Sequence, residues 1–492
     1  MFGHTINPPS IISIVENACR NVEIASATQV LTLEDWFVAP SPRQAFTVDP
    51  VILETLLQPA QLSPDQESWW REALEACHQD ALISLLLLKL PNLRKLEIKN
   101  MRTGSPYLKS ILSRLVDTND PLTGLSQLSE LIITPKMFGY DFFLSDFILF
   151  TQLPSLRKFR LVGAIDHYQP PPPEEGEEHN DPPSTTPETH RFHPPSHLTH
   201  LTLHASNALT TLSTLLPHLP HLQSLVYNHH DPAIQKSASE SIRRLVHATG
   251  HNTSMGWGIS RSRARYLDSI SKTSTLNPAV LHPGLAQAAR PSLQALWITT
   301  SHRLRQNPTE TFTQDLPGIP IGDLHGFSAL KQVRMRIENL LTVERNEDRT
   351  VKATEGTLWE VLPGCLEAVF LEECDREILP EVVRQLRRMV ESREQEQQQQ
   401  DATIFPALRK VVLQQPTEER DRIPFQFPEN MTFISQEMMQ RMARHRMAEN
   451  DIQPDVYAEL MGLKDRFAVM GVTLRVANKM GMDAEGFPLK LD

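Results

Sequence analysis

The sequence predicts an α/β fold assembled by repetition, with a parallel sheet on a concave face and helices outside it. Three observations predict it. First, a nine-residue phrase recurs: Leu-Pro-Asn-Leu-Arg-Lys-Leu-Glu-Ile at Leu90–Ile98, Leu-Pro-Ser-Leu-Arg-Lys-Phe-Arg-Leu at Leu153–Leu161 and Leu-Pro-His-Leu-Gln-Ser-Leu-Val-Tyr at Leu219–Tyr227. Its apolar residues are spaced by three and then by two, the strand half of a leucine-rich repeat. Second, looser copies start at Leu93, Leu128, Leu156, Leu198, Leu222, Leu293, Leu330, Leu366 and Leu408. Third, polar residues such as Glu97, Arg160, Thr202 and Arg334 fill the free positions, whereas strands covered on both faces run continuously apolar. The fold class is therefore an irregular leucine-rich-repeat solenoid with helical caps, a quasi-one-dimensional array in which each repeat touches its neighbours.

Taken in order, residues 1–80 read as an N-terminal helical cap. Within it, Gln66–Asp80 has Trp69, Trp70, Ala73, Leu74 and Cys77 along one side of a helix. A leading copy of the phrase ends in Val30, Leu31 and Leu33. Residues 81–230 carry the first repeats, opened by the outer helix Ala81–Leu90. They are interrupted at 169–195 by a run of Pro and Glu, including Glu174, Glu175, Glu177 and Glu178, that cannot bury enough apolar area to order itself. Residues 231–290 read as a helical insertion or a degenerate repeat, and 291–415 as further repeats. A helix begins near Leu379 and ends in a Gln/Glu-rich tail. Residues 416–492 form a C-terminal cap with Met438, Met439, Met442 and Met447 on one stretch, and a last repeat near 469–476 built on Val469, Val472 and Leu474. Intervals between copies run from 24 to 71 residues, by subtraction of the start positions, so helices or loops of varied length join the strands.

Composition narrows the function. A formal net charge of −11 lacks the basic footprint that general nucleic-acid binding needs. The most apolar stretch, Ala81–Leu90, is about half of the roughly twenty residues a membrane span needs, and Met1–Val15 shows no secretory signal. Cys19, Cys77, Cys365 and Cys374 form no CxxC pair, which places the chain in a reducing compartment, cytoplasm or nucleus. No phosphate loop, dinucleotide turn, nucleophile elbow or HExxH motif appears. The expectation is no enzyme, no cofactor and no metal. His197 and His221 occupy equivalent positions in successive repeats within a His-rich stretch that also holds His190, His193, His200, His204, His218, His229 and His230. No carboxylate or cysteine is spaced to complete a zinc site with them.

A repeat array usually binds something on its curved face. Side chains alternate along a strand, so the residues between the apolar ones face away from the core and stack in columns about 4.8 Å apart. The central column is Glu97, Ile132, Arg160, Thr202, Val226, Trp297, Arg334, Phe370 and Val412. The column before it includes Lys95, Glu130, Lys158 and His200, and the column after it His204, Arg336, Glu372 and Gln414. Aromatic residues and Arg dominate binding hot spots, so Arg160, Val226, Trp297, Arg334, Phe370 and Val412 are the candidate partner-binding residues, with Trp297 and Phe370 expected in solvent on either side of Arg334. The alternative is an enzyme that uses the repeats as a frame, with its site in 231–290, or a GTPase regulator built on the same frame.

The run from Trp69-Trp70-Arg71 through Asp80-Ala81-Leu82-Ile83-Ser84-Leu85-Leu86-Leu87-Leu88-Lys89-Leu90-Pro91-Asn92-Leu93-Arg94-Lys95-Leu96 resembles a set of filamentous-fungal leucine-rich-repeat proteins, many of them F-box-like. That resemblance implies a protein partner held by the repeats, and a substrate-receptor role in a ubiquitin ligase with a cullin-ligase adaptor as second partner. No Leu-Pro-x-Glu start of an F-box is readable in 1–80.

Overall fold

The computed structural model describes residues 3–6, 10–34, 49–58, 62–76, 78–99, 106–118, 124–134, 142–166, 196–229, 276–300, 318–346, 351–354, 356–374, 377–399, 405–414 and 454–477. They fall into two units. The loop at 169–195, the Met stripe at 438–447 and most of 231–290 lie outside the described residues.

The first unit runs to Ser224. Its parallel sheet takes strands in chain order: β1 (Gly3–Ile6), β2 (Val30–Glu34), β3 (Lys95–Lys99), β4 (Glu130–Thr134), β6 (Lys158–Val162) and β8 (His200–Ser206), with a short parallel pair, β5 (Phe142–Phe143) and β7 (Ala164–Ile165), beside it. The phrase sets the register. Leu31, Leu96, Leu131, Phe159 and Leu201 are paired rung by rung, as are Leu33, Ile98, Ile133, Leu161 and Leu203. All ten are buried. At about 1.5–3 kcal/mol for each fully buried large apolar side chain, these columns are a main favourable term in the unit. Ahead of the strands, turn side chains tie one rung to the next. Asn92 Nδ2 donates to the Ser26 carbonyl at 2.8 Å, Thr199 Oγ1 to the Arg157 carbonyl at 2.9 Å, and Ser155 Oγ to the Ser126 carbonyl.

Helices complete the core. Pro64–Glu75 starts at a capping box, with Ser63 and Gln66 exchanging side-chain-to-backbone hydrogen bonds. It buries Trp70, Ala73 and Leu74. Trp69, expected on the same apolar side, is 40% exposed and stacks on Tyr107 with centroids 4.2 Å apart. The helix stops short of Asp80. A new one, Gln79–Leu88, is buried from Asp80 to Leu88, as a helix apolar nearly all round must be. It packs among helices Ser10–Arg20, Pro50–Leu57, Pro64–Glu75 and Pro106–Thr118. Residues 1–80 are thus not helical throughout, since β1 and β2 belong to the sheet.

The second unit takes up at Leu225, within β9 (Ser224–His229). It continues in parallel order through β10 (Ala295–Thr300), β11 (Gln332–Arg336), β14 (Ala368–Glu372), β15 (Lys410–Gln414) and β16 (Thr473–Ala477), with an antiparallel hairpin of β12 (Val343–Arg345) and β13 (Val351–Ala353). The helix Leu379–Gln399 carries the Gln-rich tail. Arg466 of helix Pro454–Val469 clasps Glu394 on it, at 3.1 and 2.6 Å. The last strand corrects the expected register. Leu474 and Val476 pair with Val411 and Leu413, while Val469 ends the preceding helix and is 89% exposed. The expected copy therefore starts two residues early, on the last residue of that helix.

Candidate interaction surface

In the first unit the residues between the core positions form a mostly polar, accessible face, with Ile132 and Val162 as its apolar members. Burial alternates along β2, β3 and β4 as half-buried, buried, half-buried, and along β6 Lys158 and Arg160 are exposed. Much of the charge on this face is already matched. Lys95 Nζ lies 3.2 Å from Glu130, and Lys99 Nζ lies 3.5 Å from Glu34 and 3.6 Å from Glu97. Such exposed pairs contribute about 0–1 kcal/mol each, so they set the charge pattern more than the stability. Arg160 has no ion pair among the described residues.

Beside β6, the register places His200 next to Lys158, Thr202 next to Arg160 and His204 next to Val162. Burial and the neighbouring Lys158 hold His200 below the ordinary imidazole range. Burial and Arg160 push His204 down to about 4. The Nε2 of His204 has no hydrogen-bond partner among the described residues, so protonation would leave a buried N–H unmatched. This imidazole is neutral at neutral pH. His197 and His221 stack with centroids 5.7 Å apart and planes within 3°, as equivalent positions on adjacent rungs should. Among the described residues no group of three or more His, Cys, Asp or Glu could hold a metal ion. His190, His193 and His230 lie outside them.

The second unit differs. Trp297, Arg334, Phe370 and Val412 stand in one column, as the phrase implies, but the column is closed. Their relative exposures are 2%, 6%, 5% and 3%, which overturns the expectation that Trp297 and Phe370 stand in solvent. The two rings do flank Arg334. Its guanidinium lies 5.4 Å from the Trp297 ring, the rings are 6.5 Å apart, and Lys410 Nζ sits 5.5 Å from the Phe370 ring. A buried guanidinium needs charge and hydrogen-bond partners. Glu372 Oε1 accepts from Arg334 Nε at 2.5 Å and Gln414 Oε1 from Nη2 at 3.2 Å. Next to this pair, Arg336 bonds Glu373, and Thr300 Oγ1 donates to Glu373 at 3.1 Å. Glu373 takes a left-handed backbone, φ +53°, a conformation that costs a non-glycine residue about 1–2 kcal/mol. Of the six candidate residues, Arg160 is exposed and Val226 half-buried; the other four belong to a packed patch. Lys158, His200 and His204 stand beside Arg160 in the flanking columns, where an expectation built on aromatic residues and Arg does not reach.

Residues 272–418, which contain β10, β11, β14 and β15, match the family model of a leucine-rich repeat domain. No curated protein matches the chain. The chain thus carries a leucine-rich repeat domain, a kind of module that in the main binds other proteins rather than catalysing reactions. Among the described residues no helix is long and apolar enough to cross a membrane.

Proposed function

We propose that this chain is a non-catalytic, intracellular protein-interaction scaffold whose repeats stack as an irregular solenoid. Its partner lies on the concave face of the first unit, across β3, β4, β6 and β8. One observation carries the reading: mostly polar side chains alternate with buried apolar ones on these strands and stay accessible, so binding there exposes no core. The closed column of the second unit is its structural counterpart and not a docking site.

The test is a photo-crosslinking residue placed at Ile132, Arg160 or Thr202, with Tyr457 on the helix Pro454–Val469 (50% exposed) as the control position. The expected result is one common adduct from the three face positions and none from Tyr457. Adducts from Tyr457 alone overturn the reading. A finer form, a substrate receptor of a ubiquitin ligase, is supported by the resemblance of Trp69–Leu96 to F-box-like repeat proteins. Copurification of a cullin adaptor with the full chain tests it, and a clean preparation without one removes it.

A further inference from the structure

Resting on that reading of the face, we propose that the strip formed by β6 and β8 receives an acidic, extended polypeptide segment of the partner. The whole chain is acidic, at −11, yet this strip is locally positive. Lys158 and Arg160 are both exposed on β6. On β3 the lysines are matched by Glu34, Glu97 and Glu130, whereas no described carboxylate pairs with Arg160. The neighbouring imidazoles lie within reach of these cations: burial first, and then Lys158, lowers His200, and burial first, and then Arg160, lowers His204.

Geometry narrows the ligand. Lys158 and Arg160 are two residues apart on one strand, about 6.6 Å along it at roughly 3.3 Å per residue. Carboxylates at positions i and i+2 of an extended peptide have the same spacing. Thr202, beside Arg160, adds a hydroxyl, and Ile132 on the other side an apolar contact. The strip is bounded by Glu130, the register neighbour of Lys158 and the partner of Lys95. A polyphosphate backbone running on across the sheet meets Glu130 and Glu97, so two or three acidic side chains fit this face where a nucleic acid does not. Rim charges of this kind govern encounter and choice of partner more than total affinity.

The experiment uses the full chain and a fluorescent twelve-residue peptide with Glu at alternate positions, alongside its Gln counterpart and a twelve-nucleotide oligouridylate. The expected result is anisotropy binding of the Glu peptide at least tenfold tighter than of the Gln peptide. The loss should be at least tenfold in Lys158→Glu/Arg160→Glu and less than twofold in Lys464→Glu, on the helix Pro454–Val469. Both strip residues are exposed, so an unchanged melting curve separates lost recognition from lost fold. Equal binding of the two peptides, or a charge reversal without effect, overturns the proposal. So does oligouridylate binding more tightly with the same sensitivity, or a dimer of the chain that the reversal dissociates. The crosslinks at Ile132 and Thr202 tell which level has failed. If they persist while the Glu peptide does not bind, the face stands and the acidic ligand falls; if they vanish from the unmodified chain, the face itself falls.

Discussion

Replacing Arg334 with Met should destabilise the second unit by about 3–5 kcal/mol, the usual cost of breaking a buried ion pair and stranding its partner. The guanidinium is held by Glu372 at 2.5 Å, by Gln414 at 3.2 Å and by the Trp297 ring at 5.4 Å. The side chains of Arg334 and Glu372 are each 7% exposed, so water cannot replace what is removed. Most of the cost comes from Glu372, left as a buried carboxylate with its main partner gone. The unmatched Gln414 carbonyl adds roughly 1–3 kcal/mol at most. Urea unfolding followed by circular dichroism and by Trp fluorescence reads the loss as a lower midpoint. The double variant Arg334→Met/Glu372→Leu should recover much of it, because replacing both members of a buried pair with apolar residues is often neutral. A destabilisation below about 0.5 kcal/mol, the range of an ordinary surface substitution, would refute the closed column and restore Arg334 as an open contact residue. Failure of the double variant to recover would instead refute the stranded carboxylate as the source of the cost.

Leu201 is fully buried while Thr202 beside it is half-buried. Leu201→Asp should therefore abolish the cooperative melt of the first unit, while Thr202→Asp shifts its midpoint by less than about 0.5 kcal/mol. The depressed His204 makes the folded first unit bind fewer protons than its unfolded chain below pH 6.5. Stability is then full above about pH 6.5 and declines as pH falls toward 4, by at most about 3.4 kcal/mol at 1.36 kcal/mol per pKa unit. A pH series of urea midpoints should show that slope, His204→Gln should flatten it, and Arg160→Gln should move the imidazole NMR titration upward. Ser63→Ala removes one half of the capping box of the helix Pro64–Glu75 and should cost about 1 kcal/mol in the same unfolding assay.

The recurring phrase contains most of the strand register. Leu31, Leu96, Leu131, Phe159 and Leu201 lie rung against rung because the last two apolar residues of the phrase, two apart, share one side of the strand, while the first sits in the turn that leads into it. β1 was not legible, since Gly3–Ile6 carries no copy of the phrase and is fixed by pairing with β2. The last strand was misread because Val469, Val472 and Leu474 satisfy the spacing as well as Leu474 and Val476 do; only pairing with β15 decides between them. Arg160 was legible as a residue of the open face. Trp297 and Phe370 were not, because alternation tells which side of a sheet a residue occupies and says nothing of whether that side is covered.

A signal for the cover was nonetheless present. Ala368-Val369-Phe370-Leu371 and Val411-Val412-Leu413 are continuous apolar runs, the pattern of strands buried on both faces, and every residue of β14 is buried. In the first unit β3 and β6 read Lys-Leu-Glu-Ile-Lys and Lys-Phe-Arg-Leu-Val, with a charge between their core residues, β8 has Thr202 at that position, and β4 has Ile132, which stays half-buried between its charged register neighbours Glu97 and Arg160. Both kinds of strand obey the same repeat, so the repeat alone cannot say where a partner binds. The free positions decide it. Where they are charged, desolvation keeps the face in water and leaves it for a partner with matching charge. Where they are apolar, the face closes, and a charge stranded there needs a built-in counter-charge, as Glu372 is for Arg334.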